Sequence, residues 1–377
     1  FDFGLSVQES IDFPRAFNLE MKYKLEKSIS TEIFKEVGQL GFLGVDVPEK
    51  FGGLGLDKTT ACIILDSLSC GRSASLMVTI SAHTGIGSLP LIWYGNEEQN
   101  SKYLSKIATG EYMTCFALTE PSAGSDAMAG TTTASLSDDK KHYILNGQKI
   151  YCTNGSWADV CITFAKVDGD KYTAFIIDKN CDGWEIGAEE KKMGIKGSST
   201  CTFYFEDCKV PVENVLGKVG EGGPIAFNVL YAGRYKLGAT TAAGCKFTIE
   251  AAYDFAKERT QFNRSITEFD MIKSKFADML VRTWESDSLV YMTSGSIDNA
   301  ISSYSKDDPE YNIHVQKIIE DHAIEASICK VACSESLAFI VDEAVQVLGG
   351  AGFIEEYDMA CIYRDERINR IFEGTNE

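Results

Sequence analysis

The chain has 377 residues, 44% of them hydrophobic and 24% charged, with 36 basic against 55 acidic side chains and a formal net charge of −19. This length buries a large core and divides into two or three domains, and the composition is that of a globular protein. The acidic balance excludes a nucleic-acid-binding surface, which needs a basic patch. No run approaches the roughly 20 apolar residues of a membrane helix, no secretory signal opens the chain, and Phe1 in place of Met implies a native start further upstream. Twelve cysteines without CxxC pairs, several inside apolar runs as Cys161 and Cys201 are, read as reduced core thiols in a cytosol-like compartment. His83, His142, His314 and His322 show no metal-ligand spacing, which argues against a zinc or histidine-based site.

Residues 1 to about 113 read as mostly helical. Ile33, Val37 and Leu40 recur at i, i+4 and i+7, and Gly38 and Gly41 interrupt the turn toward Val45-Asp46-Val47-Pro48. FGGLGLD at 51–57 makes a loop ending in Asp57, an N-cap for a helix from about Lys58. Its GxG follows no strand and lacks a third glycine, so it is no dinucleotide fingerprint. Helix is expected again over 81–94 and, amphipathic, over 97–107.

From about Thr114 the period becomes two. Tyr143-Ile144-Leu145 and Ile150-Tyr151-Cys152 flank Asn146-Gly147, which predicts a hairpin turn. Strands at 160–164 and 172–177 flank a second turn at Asp168-Gly169-Asp170, and Cys201, Phe203 and Phe205 alternate with Thr202, Tyr204 and Glu206. After a glycine-rich loop at 217–223 helix returns. Cys245, Ile249, Ala252 and Ala256 mark one helix, Phe276, Met279 and Leu280 another, and Pro309 breaks a polar junction at 301–312. Leu337, Ile340, Ala344, Val347 and Leu348 lie on one helical face until Gly349, Gly350 and Gly352 stop it.

Four strings carry candidate chemistry. In Phe372-Glu373-Gly374-Thr375 a carboxylate held against apolar surface has its charged form disfavoured, and its pKa moves toward a base's range. Alone the string is a helix-ending glutamate. CFALTEPSAGSDAMAG at 115–130 is a strand ending in a Pro/Gly/Ser turn, with bare backbone N–H groups and the hydroxyls of Thr119, Ser122 and Ser125. Such a turn can solvate a flavin edge or a pyrophosphate, and SAGS alone is an ordinary loop. Tyr151-Cys152-Thr153-Asn154-Gly155 alone is a strand end. Arg259 in ERTQF either caps helix carbonyls or grips a phosphate with two donors.

Together, LTEPSAGSD, ERTQF, VQVLGGAGF, RDERI and IFEGTN, in this order and spacing, resemble the acyl-CoA dehydrogenase family. The run around Gly233, KKMGIKGSST at 191–200, ERTQF and RIFEGTN are most similar to its very-long-chain type. The resemblance implies an α+β fold, mainly α: a helical domain at 1–113, a middle antiparallel β domain at 114–219 and a helical bundle at 220–377. It implies FAD-dependent α,β-dehydrogenation of an acyl-CoA thioester to trans-2-enoyl-CoA, with electrons passed to an electron-transfer flavoprotein. Glu373 is then the base, because members that carry it elsewhere have a carboxylate where this chain has Gly233. FAD contacts are implied for Phe116, Leu118, Thr119, Gly124, Ser125, Tyr151, Thr153 and Thr375. FAD contacts are also implied for Gln261 and Phe262, and contacts to a neighbouring subunit's FAD for Arg259, Gln346, Leu348, Gly349 and Gly350. Substrate contacts are implied for Ser125, Gly233, Arg234 and Gly374, and no metal is implied.

Two departures stand out: Tyr151 where the family usually has tryptophan, and Asn263 where most members have glycine. The resemblance further implies a homodimer or a dimer of dimers, in the bacterial cytoplasm or the mitochondrial matrix and not secreted. Relatives continue past the FEGT string, so further helix is expected beyond Glu377. Two other readings stay open: an FAD-binding assembly factor with little or no catalysis, and an enoyl-CoA reductase running the reverse reaction.

Overall fold

The computed structural model describes residues 31–377, so the expected helical start falls largely outside the described residues. Helix α1 (Thr31–Gln39) buries Ile33, Phe34 and Val37. Helix α2 (Lys58–Ser69) begins where Asp57 accepts a hydrogen bond from the Thr60 N–H at 2.6 Å, a cap that contributes about 1 kcal/mol. Next come α3 (Ala74–Ala82), a π-helical turn (His83–Gly87), α4 (Leu89–Tyr94) and α5 (Glu97–Ala108). The third helix thus starts seven residues before the expected position 81, at the Ser73 cap. The 21 residues Ala74–Tyr94 reach a mean hydropathy of 1.3, enough by length and composition to cross a membrane, but 83% of that window is buried inside the fold. The expectation of no such run is corrected accordingly: this is a core helix. His83 at its centre is fully buried, bonding the Ile107 carbonyl at 3.1 Å and accepting from the Thr114 N–H. Burial drives its pKa down to about 4, partly opposed by the Ile107 bond, so it is a neutral structural group.

The middle domain is one curled sheet of β1 (Thr114–Ala117), β2 (Thr133–Leu136), β3 (His142–Thr153), β4 (Val160–Val167), β5 (Lys171–Asp178), β6 (Trp184–Glu189), β7 (Thr200–Pro211) and β8 (Val215–Leu216). The strand order is β6-β7-β3-β2-β4-β5-β8, with β1 beside β4. Most pairs are antiparallel, including the expected β4–β5 hairpin around Gly169. Two are parallel, since β1 and β2 both pair with β4. The β4 sequence explains its central place. Val160, Ile162 and Phe164 join the helical core while Cys161, Ala165 and Val167 join the sheet's own core, so both faces are covered.

The Asn146-Gly147 hairpin does not form. β3 runs straight through it for 12 residues, paired with β2 on one side and β7 on the other. The register slips between Leu145 and Gly147, a bulge in place of a turn. Glycine is required there by packing, because a Cβ would stand 2.4 Å from Thr132 Oγ1.

The last layer holds α6 (Gly222–Glu258), α7 (Asp270–Ile301), α8 (Tyr311–Asp321), α9 (Ala323–Leu348) and α10 (Asp358–Glu366). Of the α7 markers, Phe276 and Met279 are buried, whereas Leu280 is 57% exposed and faces outward. Helices α6 and α9 run side by side in the same direction. A Cβ on Gly238 would stand 2.4 Å from Cys329 Sγ, and one on Gly244 would stand 3.1 Å from Leu337. Ala252 and Ala256 of α6 meet Ala344, Val347 and Leu348 of α9 in one cluster at their far ends. Buried charge ties α6 to the first layer, with Asp46 accepting from Lys236 at 2.5 Å and from Lys58 at 2.6 Å. Burial alone would raise the Asp46 pKa; the two ammonium groups outweigh it and hold the carboxyl down at about 2. All twelve cysteines are free of disulfides.

Candidate active site

The chain after α10 passes through a short 3-10 turn (Arg367–Arg370) and then a strap that carries Glu373. Glu373 has φ +56° and Gly374 φ +90°. For the glutamate that left-handed backbone costs roughly 1–2 kcal/mol, so neighbouring contacts must hold it. Arg234 of α6 donates from Nε to the Glu373 carbonyl at 3.1 Å and from Nη1 to Ser327 Oγ at 2.8 Å. Lys330 of α9 donates to the Gly374 carbonyl at 2.7 Å and to Asn376 Oδ1 at 2.6 Å. The Asn376 amide in turn donates to Ser334 Oγ at 3.1 Å and to Glu335 at 2.7 Å.

The Glu373 residue keeps some accessible surface, yet its Oε2 is buried and has no hydrogen-bond partner. A buried unpaired carboxylate oxygen is costly. Burial pushes the carboxyl up to about 7, against the opposing pull of Arg234 and Lys330. Glycine at 233 makes room, since a Cβ there would lie 2.7 Å from Oε2. Both residues line a cavity of about 350 Å³, with Phe372, Ile86, Ala82, Val78 and Leu237 supplying apolar wall. Thr153, at the end of β3, reaches the same cavity, whereas Tyr151 two residues earlier sits at φ +59° and is 65% exposed.

The 118–125 turn is anchored from beneath. Lys149 of β3 pairs with Glu120 at 2.7 Å, with both side chains fully buried, and also donates to the Leu118 carbonyl at 3.3 Å. Burial alone would raise the Glu120 pKa, but Lys149 and the Thr131 and Thr132 donors hold it at about 2. Above this anchor Gly124 and Ser125 are exposed, and nothing lies within 4 Å of where a Gly124 Cβ would stand. The Thr119 carbonyl accepts from the Ile150 N–H at 2.8 Å, so Leu118 and Thr119 lie beside the strand carrying Tyr151 and Thr153. Phe116 is a core residue, edge-on to Phe164 at 5.2 Å. Ser125 and Thr375 are exposed.

Arg259, Gln261, Phe262, Gln346, Gly349 and Gly350 are not brought to Glu373. They sit at the far ends of α6 and α9, and the 25 residues of α6 separating Gly233 from Glu258 span roughly 38 Å. All six are exposed, Phe262 at 88% on a left-handed backbone of φ +55°. One protomer therefore carries two separate groups of the expected site residues.

Lys330, Ser327, Ser334, Asn376 and the Glu120–Lys149 pair were not among the expected site residues. One signal was available. Ser327, Lys330 and Ser334 recur at i, i+3 and i+7 on one side of α9, a polar stripe among apolar neighbours such as Ile328, Val331 and Cys333.

A helical layer, a curled β domain and a helix bundle, meeting at a buried unpaired carboxylate, define a three-domain protein with a candidate general base. Family models match along nearly all of the chain: the acyl-CoA dehydrogenase N-terminal domain over residues 14–111, its middle domain over 115–208 and its C-terminal domain over 220–377. The chain belongs to the acyl-CoA dehydrogenase family. It is 47% identical over 348 residues to a probable acyl-CoA dehydrogenase of Bacillus subtilis, covering 92% of this chain and 58% of the relative. It is 38% identical over 362 residues to the mouse mitochondrial very long-chain specific acyl-CoA dehydrogenase, covering 94% and 52%. A Bacillus anthracis acyl-CoA dehydrogenase solved in complex with FAD superposes with a TM-score of 0.95 at 44% identity, over 100% of this chain and 65% of that one. The chain thus spans between half and two thirds of the length of these relatives.

Proposed function

We propose that this chain catalyses the FAD-dependent α,β-dehydrogenation of an acyl-CoA thioester, giving a trans-2-enoyl-CoA, with Glu373 as the base. The observation that carries the reading is the Glu373 carboxylate, whose Oε2 is buried without a partner in the cavity wall opposite Gly233 and whose pKa lies at about 7. Such a group can accept a proton from carbon at neutral pH. The Glu373 N–H makes no hydrogen bond among the described residues, so it is available to a developing enolate oxygen as one donor of an oxyanion hole. The apolar wall of Ile86, Val78, Ala82 and Leu237 keeps water from the carboxylate and accommodates an acyl tail.

The donor set fits FAD. The open Gly124–Ser125 turn offers backbone N–H groups without a fixed charge, and Leu118 and Thr119, which follow β1, lie against the end of β3 that carries Tyr151 and Thr153. Thr375 follows the base on the same strap. FAD, when bound, supplies the two-electron acceptor for the β-hydride. The second group, Arg259, Gln261, Phe262, Gln346, Gly349 and Gly350, then serves the FAD of a neighbouring copy, because no single protomer can bring it to Glu373. A homodimer, an electron-transfer flavoprotein as oxidant and a cytoplasmic or matrix setting belong to the same reading.

Anaerobic titration of the flavin-loaded protein with acyl-CoAs of graded length and branching tests it. At least one thioester should bleach the flavin absorbance at stoichiometric amounts. A full panel that leaves the spectrum unchanged refutes the proposal.

A further inference from the structure

Glu373 and Gly374 are two successive residues on a left-handed backbone, and each carbonyl is held by a cation from a different helix. Arg234 comes from α6, and Lys330 from the middle of α9. Lys330 is 2% exposed, an unusual place for an ammonium group, which is tolerated there only because acceptors meet it. It has two, the Gly374 carbonyl and Asn376 Oδ1, and both belong to the strap that carries the base. Asn376 is oriented to accept by its own amide, which donates to Ser334 and Glu335 one turn further along α9. The lysine therefore grips residues on the C-terminal side of Glu373, while the arginine grips Glu373 itself.

We propose that Lys330 is a positioning residue for Glu373: its ammonium pins the 374–376 strap and supplies the nearby positive charge that favours the ionised base. The inference rests on the dehydrogenation reading only in what Glu373 is for; the clamp itself stands on the two Lys330 hydrogen bonds to the strap. The charged groups around the pair are Arg234 from α6, Glu335 from α9 and Glu377 from the chain end, and one contact further out Arg370, in the turn after α10, reaches Glu335 at 3.8 Å and Glu366 at 3.3 Å. Lys236, one turn along α6 from Gly233, is committed to Asp46 and the Thr84 carbonyl. Burial, then the neighbouring Arg234 charge, brings Lys330 itself down to about 8, with Glu373, Glu335 and Glu377 opposing. Burial thus shifts the two groups toward each other, the base upward and the clamp downward.

The test is infrared titration of the holoprotein, reading the protonated-carboxyl band that Glu373→Gln abolishes, in wild type, Lys330→Met and Lys330→Arg. The pH profile of anaerobic flavin reduction is recorded beside it. In Lys330→Met the Glu373 midpoint should rise by about one pH unit and flavin reduction at pH 7 should fall about fivefold, recovering toward high pH. Lys330→Arg, which keeps the charge, should leave the midpoint near its wild-type value. If Lys330→Met does not fold, Lys330→Gln carries the same test, since it keeps a donor for the Gly374 carbonyl and lacks the charge. A folded neutral variant whose Glu373 midpoint does not move overturns the inference, even if wild type reduces flavin normally. A shifted midpoint in a protein that no thioester reduces upholds the coupling and refutes the dehydrogenase reading instead.

Discussion

Glu373→Gln separates what the glutamate does for chemistry from what it costs the fold. The carboxyl is raised from an ordinary 4.5 to about 7 by burial, with Arg234 and Lys330 opposing. A group raised in the folded state contributes full stability below its unfolded value, and that contribution is lost as pH rises through the folded value. At about 1.36 kcal/mol per pH unit, the loss between pH 4.5 and pH 7 and above is about 3 kcal/mol. Glutamine keeps the shape and cannot ionise, so the variant should be more stable than wild type by up to about 3 kcal/mol at pH 8 and indistinguishable near pH 4. Flavin reduction by the best acyl-CoA should fall about 10²–10⁴-fold, the usual contribution of a positioned base. Urea denaturation across pH reads the first effect and anaerobic stopped-flow absorbance the second. Near-normal reduction by the variant removes Glu373 from the role. Equal stability of the two proteins at pH 8 refutes the claim that the ionised carboxylate is held under strain.

Gly233→Ala places a methyl group 2.7 Å from Glu373 Oε2; the carboxylate end can swing away, so thermal stability should hold while flavin reduction drops about 10²-fold from misplacement. Arg259→Ala, at an exposed site, should leave the protomer's melting unchanged yet weaken flavin retention and self-association together, which gel filtration with absorbance at dilution checks. Unchanged flavin content and size exclude Arg259 from a shared site. Lys149→Met leaves Glu120 buried beneath the 118–125 turn with no cation, and chemical denaturation should show a loss of about 3–5 kcal/mol. A loss under 1 kcal/mol shows that the pair does not anchor that turn.

Much of this protein was legible as a string because its signals are local. The Asp57 cap, the Asp168-Gly169-Asp170 hairpin turn, the Pro309 junction and the helix stop at Gly349 each depend on a few neighbouring residues, and backbone sterics act at that range. The FEGT string is different: alone it reads as a helix-ending glutamate, and it pointed to Glu373 only through the order and spacing of the whole motif set. Asn146-Gly147 misled because the same local rule was overruled from outside. Strands β2 and β7 pair with both edges of β3, and the ladder keeps extended a dipeptide that in isolation would turn. Ala74–Tyr94 shows the same limit, since its apolar length matches a membrane span and only the surrounding layers make it a core helix.

The sequence by itself determined the family, the order of the three domains and the identity of the candidate base, because motif order and periodicity are written along the chain. Only the tertiary structure decided that Gly233, Thr153 and Glu373 share one cavity, and that Lys330 and Arg234 hold the base by its neighbouring carbonyls. It likewise decided that Arg259 and Gln346 lie at the far end of the helices from Glu373. The physical reason is that the pKa of Glu373 and its unpaired oxygen follow from burial and from charges more than forty positions away in the chain. Desolvation and Coulombic attraction depend on distance in space, and that distance exists only once α6, α9 and the strap are packed together.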